Sequence, residues 1–255
     1  MSRITLSLTA MLMVSLPATA LAAPPADAAV ESGTAGSLIV HWTSPDPVDV
    51  LVADHADAPA AKATLVSVRD RDGSHLITLP GERRSYFVLR NSRTGEIARV
   101  AERLVPLERG SNFRDIGGYA AAGGKHVRWG MIYRSGATPL ISETDQNRIR
   151  ALGLANMIDL RSDEERVLAP SRIEGVPYTA IGYRMGDLNV AGGMEPVYHN
   201  LPKAMAPQLK QVFAKLLRDE GPLVYNCSAG QDRTGFVTAM ILTALGTPRD
   251  VILAD

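Results

Sequence analysis

No other stretch limits the fold of this chain as much as Gly221 to Leu245. Gly221-Pro222 punctuates a short apolar run, Leu223-Val224-Tyr225, that reads as a buried strand, and Thr234 to Leu245 reads as a helix rich in apolar residues. The loop between them opens onto a helix N-terminus. Amides there have no intrahelical partner and the helix dipole favours negative charge, so such a loop is suited to cradle a phosphate dianion.

That loop begins with Cys227, the single cysteine in 255 residues, and Arg233 follows six positions later. The spacing suits cysteine-dependent phosphoryl transfer. Cys227 would attack phosphorus as a thiolate, and water would hydrolyse the cysteinyl-phosphate. Backbone amides of Ser228, Ala229, Gly230 and Gln231, with neighbouring Thr234, would bind the phosphoryl oxygens, and the planar guanidinium of Arg233 would grip two of them. Bringing a thiol from its free pKa of about 8.5 to about 5.5 costs roughly 4 kcal/mol at 1.36 per unit, whereas a helix terminus supplies at most about 2. Several N–H donors and the arginine charge must therefore act together. A thiol–metal site is a poor alternative, because one Cys and the scattered His41, His55, His75, His126 and His199 offer no ligand spacing.

Asn226 to Gly235, taken with Asn112-Phe113-Arg114-Asp115-Ile116-Gly117-Gly118-Tyr119 and Met157-Ile158-Asp159-Leu160-Arg161-Ser162, resembles the bacterial tyrosine-protein phosphatases related to the secreted mycobacterial phosphatase B. The resemblance spans roughly 110–255. It implies a cysteine-phosphatase fold acting on phosphotyrosine and, in some relatives, on phosphoserine, phosphothreonine or phosphoinositides, without a cofactor. Two positions depart from the family pattern: Asn226 stands where a His commonly precedes the nucleophile, and Gln231 where a Lys often sits in the loop. Both changes remove positive charge, which favours phosphoproteins over highly charged phosphoinositides.

The leaving oxygen needs a proton, so a carboxylic acid must stand near the loop. Asp232 lies in the loop and matches a loop aspartate of the family. Asp159 ends an apolar strand, and the carboxyl ends of strands in open α/β sheets face the ligand crevice. Asp187 lies between Gly182 and Gly193, a segment suited to an acid-bearing lid. Arg114, beside a Gly-Gly turn, is a further contact candidate, although an adjacent Arg-Asp pair is more often structural. Arg134, after a strand, reads as solvated.

Basic and acidic side chains balance at 27 each, so neither a nucleic-acid groove nor a polybasic membrane patch is expected. Arg3, the apolar stretch Ile4 to Leu16 and the small residues Ala18, Ala20 and Ala22 read as a signal peptide over 1–22, too short in its apolar part for the ~20 residues that span a bilayer. A periplasmic or secreted location follows. Residues 23–35 are Ala/Pro-rich and read as a linker. Six short β-branched or aromatic segments between Ser37 and Leu104 predict a small immunoglobulin- or fibronectin-like sandwich over 36–106.

From 107 to 255 strands alternate with helices, the pattern of an α/β sheet flanked by helices. Ser142 is expected to cap one helix, and one long helix is predicted over 196–218. Thr247-Pro248 opens a final helix of about two turns, which suggests that this domain is truncated. The partners expected are a phosphotyrosine-containing protein or a phosphorylated small molecule. An inositol-phosphate phosphatase, or a non-catalytic phosphate-binding surface protein, is the alternative.

Overall fold

The computed structural model describes residues 23–79, 84–188 and 193–255; the expected signal peptide lies outside the described residues. Seven antiparallel strands form the N-terminal part: β1 (Ala26–Ser32), β2 (Ser37–Thr43), β3 (Val48–Ala53), β4 (Thr64–Asp70), β5 (Ser74–Thr78), β6 (Tyr86–Asn91) and β7 (Ile97–Ala101). They make a three-stranded sheet in the order β1-β2-β5 and a four-stranded sheet in the order β4-β3-β6-β7. Inward-facing side chains of both sheets share one core: Val30, Val40 and Trp42 from the first meet Val50, Phe87 and Leu89 from the second. The alternation along each strand explains this layering, since every second side chain points to the same face.

The segment read as a linker is corrected here, because β1 occupies most of it. Ala26–Ser32 carries only one β-branched residue, and its strand state comes from pairing with β2, where Val30 sits opposite Val40. Tertiary pairing overrides weak local propensity.

The C-terminal part is built on a sheet in the order β13-β12-β14-β11-β8, from β8 (Arg114–Asp115), β11 (Ile132–Ser135), β12 (Asn156–Asp159), β13 (Tyr178–Ala180) and β14 (Leu223–Asn226). A small hairpin, β9 (Ala120–Ala121) with β10 (Lys125–His126), lies outside it. Strands β11 to β14 run parallel and β8 is antiparallel to β11. On β14, Leu223 and Tyr225 enter one core with Ile158, Leu201 and Val237, while Val224 enters another with Met157, Ile149 and Phe113. A strand buried on both faces is covered by helices. These are α1 (Glu143–Arg150), α2 (Asp163–Leu168), α3 (Met194–Ala204), α4 (Ala206–Leu217), α5 (Asp232–Ala244) and α6 (Arg249–Ala254).

Ser142 caps α1 through a reciprocal box with Asp145. The single helix expected over 196–218 is two. It breaks at the buried Met205, between Pro202 inside α3 and Pro207 in the first turn of α4. Proline lacks the amide for the i−4 bond and its ring clashes with the preceding turn, so two prolines five residues apart end one helix and start the next. No helix among the described residues is long and apolar enough to cross a membrane.

Candidate active site

The loop from Cys227 to Gln231 leaves the C-terminal end of the central strand β14 and enters α5. Its neighbours pin its carbonyls from outside. The Ala137 amide donates to Ser228 O at 3.1 Å, Asn112 Nδ2 to Ala229 O at 2.8 Å, and Arg134 Nη2 to Gly230 O at 2.9 Å and more weakly to Gln231 O at 3.4 Å. A planar trans peptide carries its C=O and the next N–H on opposite sides. Three carbonyls held outwards therefore turn the amides of Ala229, Gly230 and Gln231 inwards. The Gln231 carbonyl accepts from the Gly235 amide at 2.5 Å in the first turn of α5, and none of the amides of Ala229, Gly230, Gln231 and Asp232 meets an acceptor among the described residues. The result is a concave set of donors at a helix N-terminus, which is an anion site.

Gly230 makes the turn possible. Its φ of +71° lies in the left-handed region, and a Cβ there would sit 2.6 Å from backbone atoms of Ser135 and Gly136. The end of β11 thus presses directly on the loop. Cys227, 2% exposed, forms the floor and packs with Tyr225, Leu160 and Val237.

Arg233, in the first turn of α5, is held by Glu165: Nη1 meets Oε2 at 2.5 Å and Nη2 meets Oε1 at 2.7 Å. Nη1 also donates to Tyr183 Oη at 2.7 Å. A guanidinium has more than one edge that can bind an anion with two parallel bonds. Glu165 takes the edge formed by the two terminal nitrogens, so the edge formed by Nε and Nη2 is the one left for a phosphoryl group. Glu165 is in turn fixed by the capping box of α2, where the Ser162 amide donates to Oε2 at 2.9 Å, and by the Ser228 hydroxyl on Oε1. Partial burial opposes charge on Glu165, but the hydrogen bonds from Arg233, Ser228 and Ser162 outweigh it and hold the carboxyl down to about 2. Glu165 is accordingly a fixed anion and unsuited to proton donation.

Three acids were expected near the loop, and their surroundings differ. Asp232, at the first position of α5, is exposed at the rim and accepts a hydrogen bond from Tyr198 Oη on α3 at 2.6 Å. Asp187 is exposed, and its Oδ2 caps its own turn by accepting from the Arg184 amide at 3.0 Å. Asp159 is corrected as a proton donor. It is fully buried, bound to Arg161 Nε at 2.9 Å and Nη2 at 2.7 Å, and accepts from Tyr178 Oη at 3.0 Å. A carboxylate buried at the end of β12 and enclosed by an arginine and a tyrosine has no exposed face from which to protonate a leaving group. Asn226 Nδ2, at 3.4 Å, barely reaches it, and Asn226 Oδ1 is buried without a partner.

Three further positions shift. Arg114, expected as a possible contact, donates instead to Asn112 and to the Asp255 carbonyl at 3.1 Å, away from the inward amides. Thr234 is fully buried behind the loop, so its side chain offers no surface to a substrate. Arg134 is the reverse: expected in solvent, it is 4% exposed and clamps the loop while pairing with Asp255. Sequence reasoning also missed Glu165. Its signal was legible as Ser162-x-x-Glu165, a helix start placed directly after a strand, but its partner lies 68 residues away. Among the described residues no group of three or more His, Cys, Asp or Glu could hold a metal ion.

Relatives were found across the same region. A tyrosine-protein phosphatase by name from Cupriavidus necator is 35% identical over 164 residues, covering 57% of this chain and 59% of the relative. The triple specificity protein phosphatase PtpB of Mycobacterium tuberculosis is 28% identical over 183 residues, covering 56% and 64%. A tyrosine-protein phosphatase of Nostoc commune is 26% identical over 125 residues, covering 44% and 42%. The chain thus spans less than two thirds of the length of each of these relatives. The model of the tyrosine phosphatase family matches residues 105–255, the stretch that carries the five-stranded sheet, the loop and Arg233, and the chain belongs to that family.

Proposed function

We propose that this chain hydrolyses phosphomonoesters, with phosphotyrosine in proteins as the principal substrate class, through a cysteinyl-phosphate at Cys227. The observation that carries this reading is the outward pinning of three loop carbonyls beside a buried cysteine, which leaves the loop amides turned inwards without an acceptor at the N-terminus of α5. The amides and the Nε/Nη2 edge of Arg233 would hold the three non-bridging oxygens. Cys227 Sγ, as thiolate, forms the S–P bond while the P–O bond to the leaving group breaks. Charge that develops on the phosphoryl oxygens meets donors already in place.

Asp232 would give its proton to the departing oxygen and afterwards accept one from the water that cleaves the S–P bond, with the thiolate as leaving group. Its exposed place at the rim, beside the loop amides, supports that role over the buried Asp159 and over Asp187, which caps its own turn. The leader-like residues 1–22 support export, so we place this activity in the periplasm or outside the cell.

The name of the mycobacterial relative states triple specificity, and the experiment therefore needs several substrates. Phosphate release is measured from a phosphotyrosine peptide, a phosphoserine peptide and an inositol polyphosphate, with Cys227→Ser in parallel. Turnover that is highest on phosphotyrosine and absent in the variant is expected. Turnover that survives Cys227→Ser sinks the thiol mechanism.

A further inference from the structure

The contact between Tyr198 and Asp232 joins two elements that have no local reason to meet. Tyr198 lies on α3 and Asp232 begins α5, 34 residues later, with Oη to Oδ1 at 2.6 Å. The position of Tyr198 is set from below. Val197 and Leu201, four apart on one face of α3, and Met205, just past its C-terminal end, are buried in the core that also contains Val237 and Cys227. Tyr198 stands at the border of that face, 49% exposed, and its hydroxyl reaches over the rim of the loop. The sequence supplies a large aromatic residue at a position where burial alone would not select one.

We infer that Tyr198 is a positioning residue for the acid–base chemistry of Asp232 and that it makes hydrolysis tolerant of poor leaving groups. This rests on the thiol-phosphatase reading above. As the P–O bond breaks and the S–P bond forms, the Asp232 proton moves to the leaving oxygen and the carboxyl becomes a carboxylate. The Tyr198 O–H donates to that carboxylate. Its hydrogen bond strengthens as charge appears on Asp232, so it stabilises the transition state more than the ground state. In the second step the carboxylate takes a proton from the attacking water while Tyr198 keeps its oxygen oriented, and the S–P bond breaks to return the thiolate. Atoms and charge balance in both steps, and Tyr198 itself loses no proton; the hydrogen bond to Asp232 disfavours its ionisation.

The effect should scale with how badly the leaving group needs a proton. The test is kcat/KM for a series of substituted phenyl phosphates, plotted against the pKa of the leaving phenol, for the wild-type chain, Tyr198→Phe, Asp232→Asn and the double variant. Tyr198→Phe is expected to lower kcat/KM about 5- to 30-fold on phenyl phosphate, the loss of one charge-assisted hydrogen bond, and clearly less on 4-nitrophenyl phosphate, so that the slope steepens. Asp232→Asn should steepen it further, and adding Tyr198→Phe to it should change nothing more, because the two act as a unit. A purely structural Tyr198 would lower all substrates alike. An unchanged slope in folded Tyr198→Phe, or full additivity in the double variant, overturns the inference while leaving the thiol reading intact. Absence of turnover in the wild-type chain overturns both.

Discussion

Glu165 and Arg233 form a two-bond ion pair at 2.5 and 2.7 Å, and the carboxylate takes the edge of the guanidinium formed by its two terminal nitrogens. The pair orients rather than blocks. Glu165→Gln keeps the shape of the side chain but removes its charge and one acceptor. We expect it to reduce kcat/KM on a phosphotyrosine peptide by about 10- to 100-fold, matching the roughly 1.5–3 kcal/mol of a hydrogen bond to a charged group. Steady-state kinetics on the two proteins checks this, and an undiminished kcat/KM would show that Arg233 is oriented without Glu165.

The same pair makes stability depend on acid. The Glu165 carboxyl is held down to about 2 in the folded chain against an ordinary value of 4.5, so its contribution is fully present above pH 4.5 and is lost as pH falls towards 2. Glu165 is partly solvated, which reduces the stabilisation to about 1–2 kcal/mol. Urea unfolding of the wild type at pH 7 and at pH 3 should give a larger loss than the same comparison on Glu165→Gln. Equal losses in the two proteins would remove Glu165 as the titrating group.

Why some of this was legible in the sequence and some was not comes down to distance along the chain. The strand, the loop and the helix around Cys227 are neighbours in sequence, so local pattern alone reports them. The pair Glu165–Arg233 and the clamp Arg134–Gly230 join residues 68 and 96 positions apart and depend on β11, β12 and β14 lying side by side. From sequence Arg134 reads as solvated because arginines that follow strands usually are; its burial follows from pairing opposite Tyr225 in the middle of the sheet. Strand β1 was hidden for a related reason. An Ala-rich segment has little β propensity of its own, and only its partner β2 makes it a strand.

Gly230 is where the loop tolerates least. Alanine there would combine a left-handed φ of +71° with a Cβ 2.6 Å from the backbone of Ser135 and Gly136. The conformational part costs about 1–2 kcal/mol, and the clash must be relieved by moving the loop or β11. Gly230→Ala is expected to lose at least about 100-fold in activity while lowering Tm by several degrees, because a displaced loop no longer aims its amides at one point. Retention of wild-type kcat/KM would mean that the inward amides are not what binds the phosphoryl group.

Arg84 reaches from the N-terminal sandwich into the C-terminal half and is nearly enclosed there. Its Nη1 donates to Asp115 Oδ2 at 2.6 Å and Tyr133 Oη at 2.9 Å, and its Nη2 to the Glu102 carbonyl at 2.7 Å, while its guanidinium lies 5.1 Å from the Tyr86 ring centre and 5.8 Å from that of Trp129. Asp115 also accepts the amides of Gly117 and Gly130, both at 2.7 Å, and is fully buried. Tyr133 precedes Arg134, the residue that clamps the loop, so the sandwich supports the strand that shapes the site. Removing the cation leaves Asp115 buried with amides alone, and Arg84→Met should therefore destabilise the chain by about 3–5 kcal/mol, as breaking a buried pair does. Arg84→Met with Asp115→Asn should lose less, because no uncompensated charge remains. Urea unfolding followed by tryptophan fluorescence reads Trp42 in the sandwich and Trp129 at its border together. A midpoint that does not move in Arg84→Met would show that the two halves are held together by apolar packing and that the ion pair between them adds nothing.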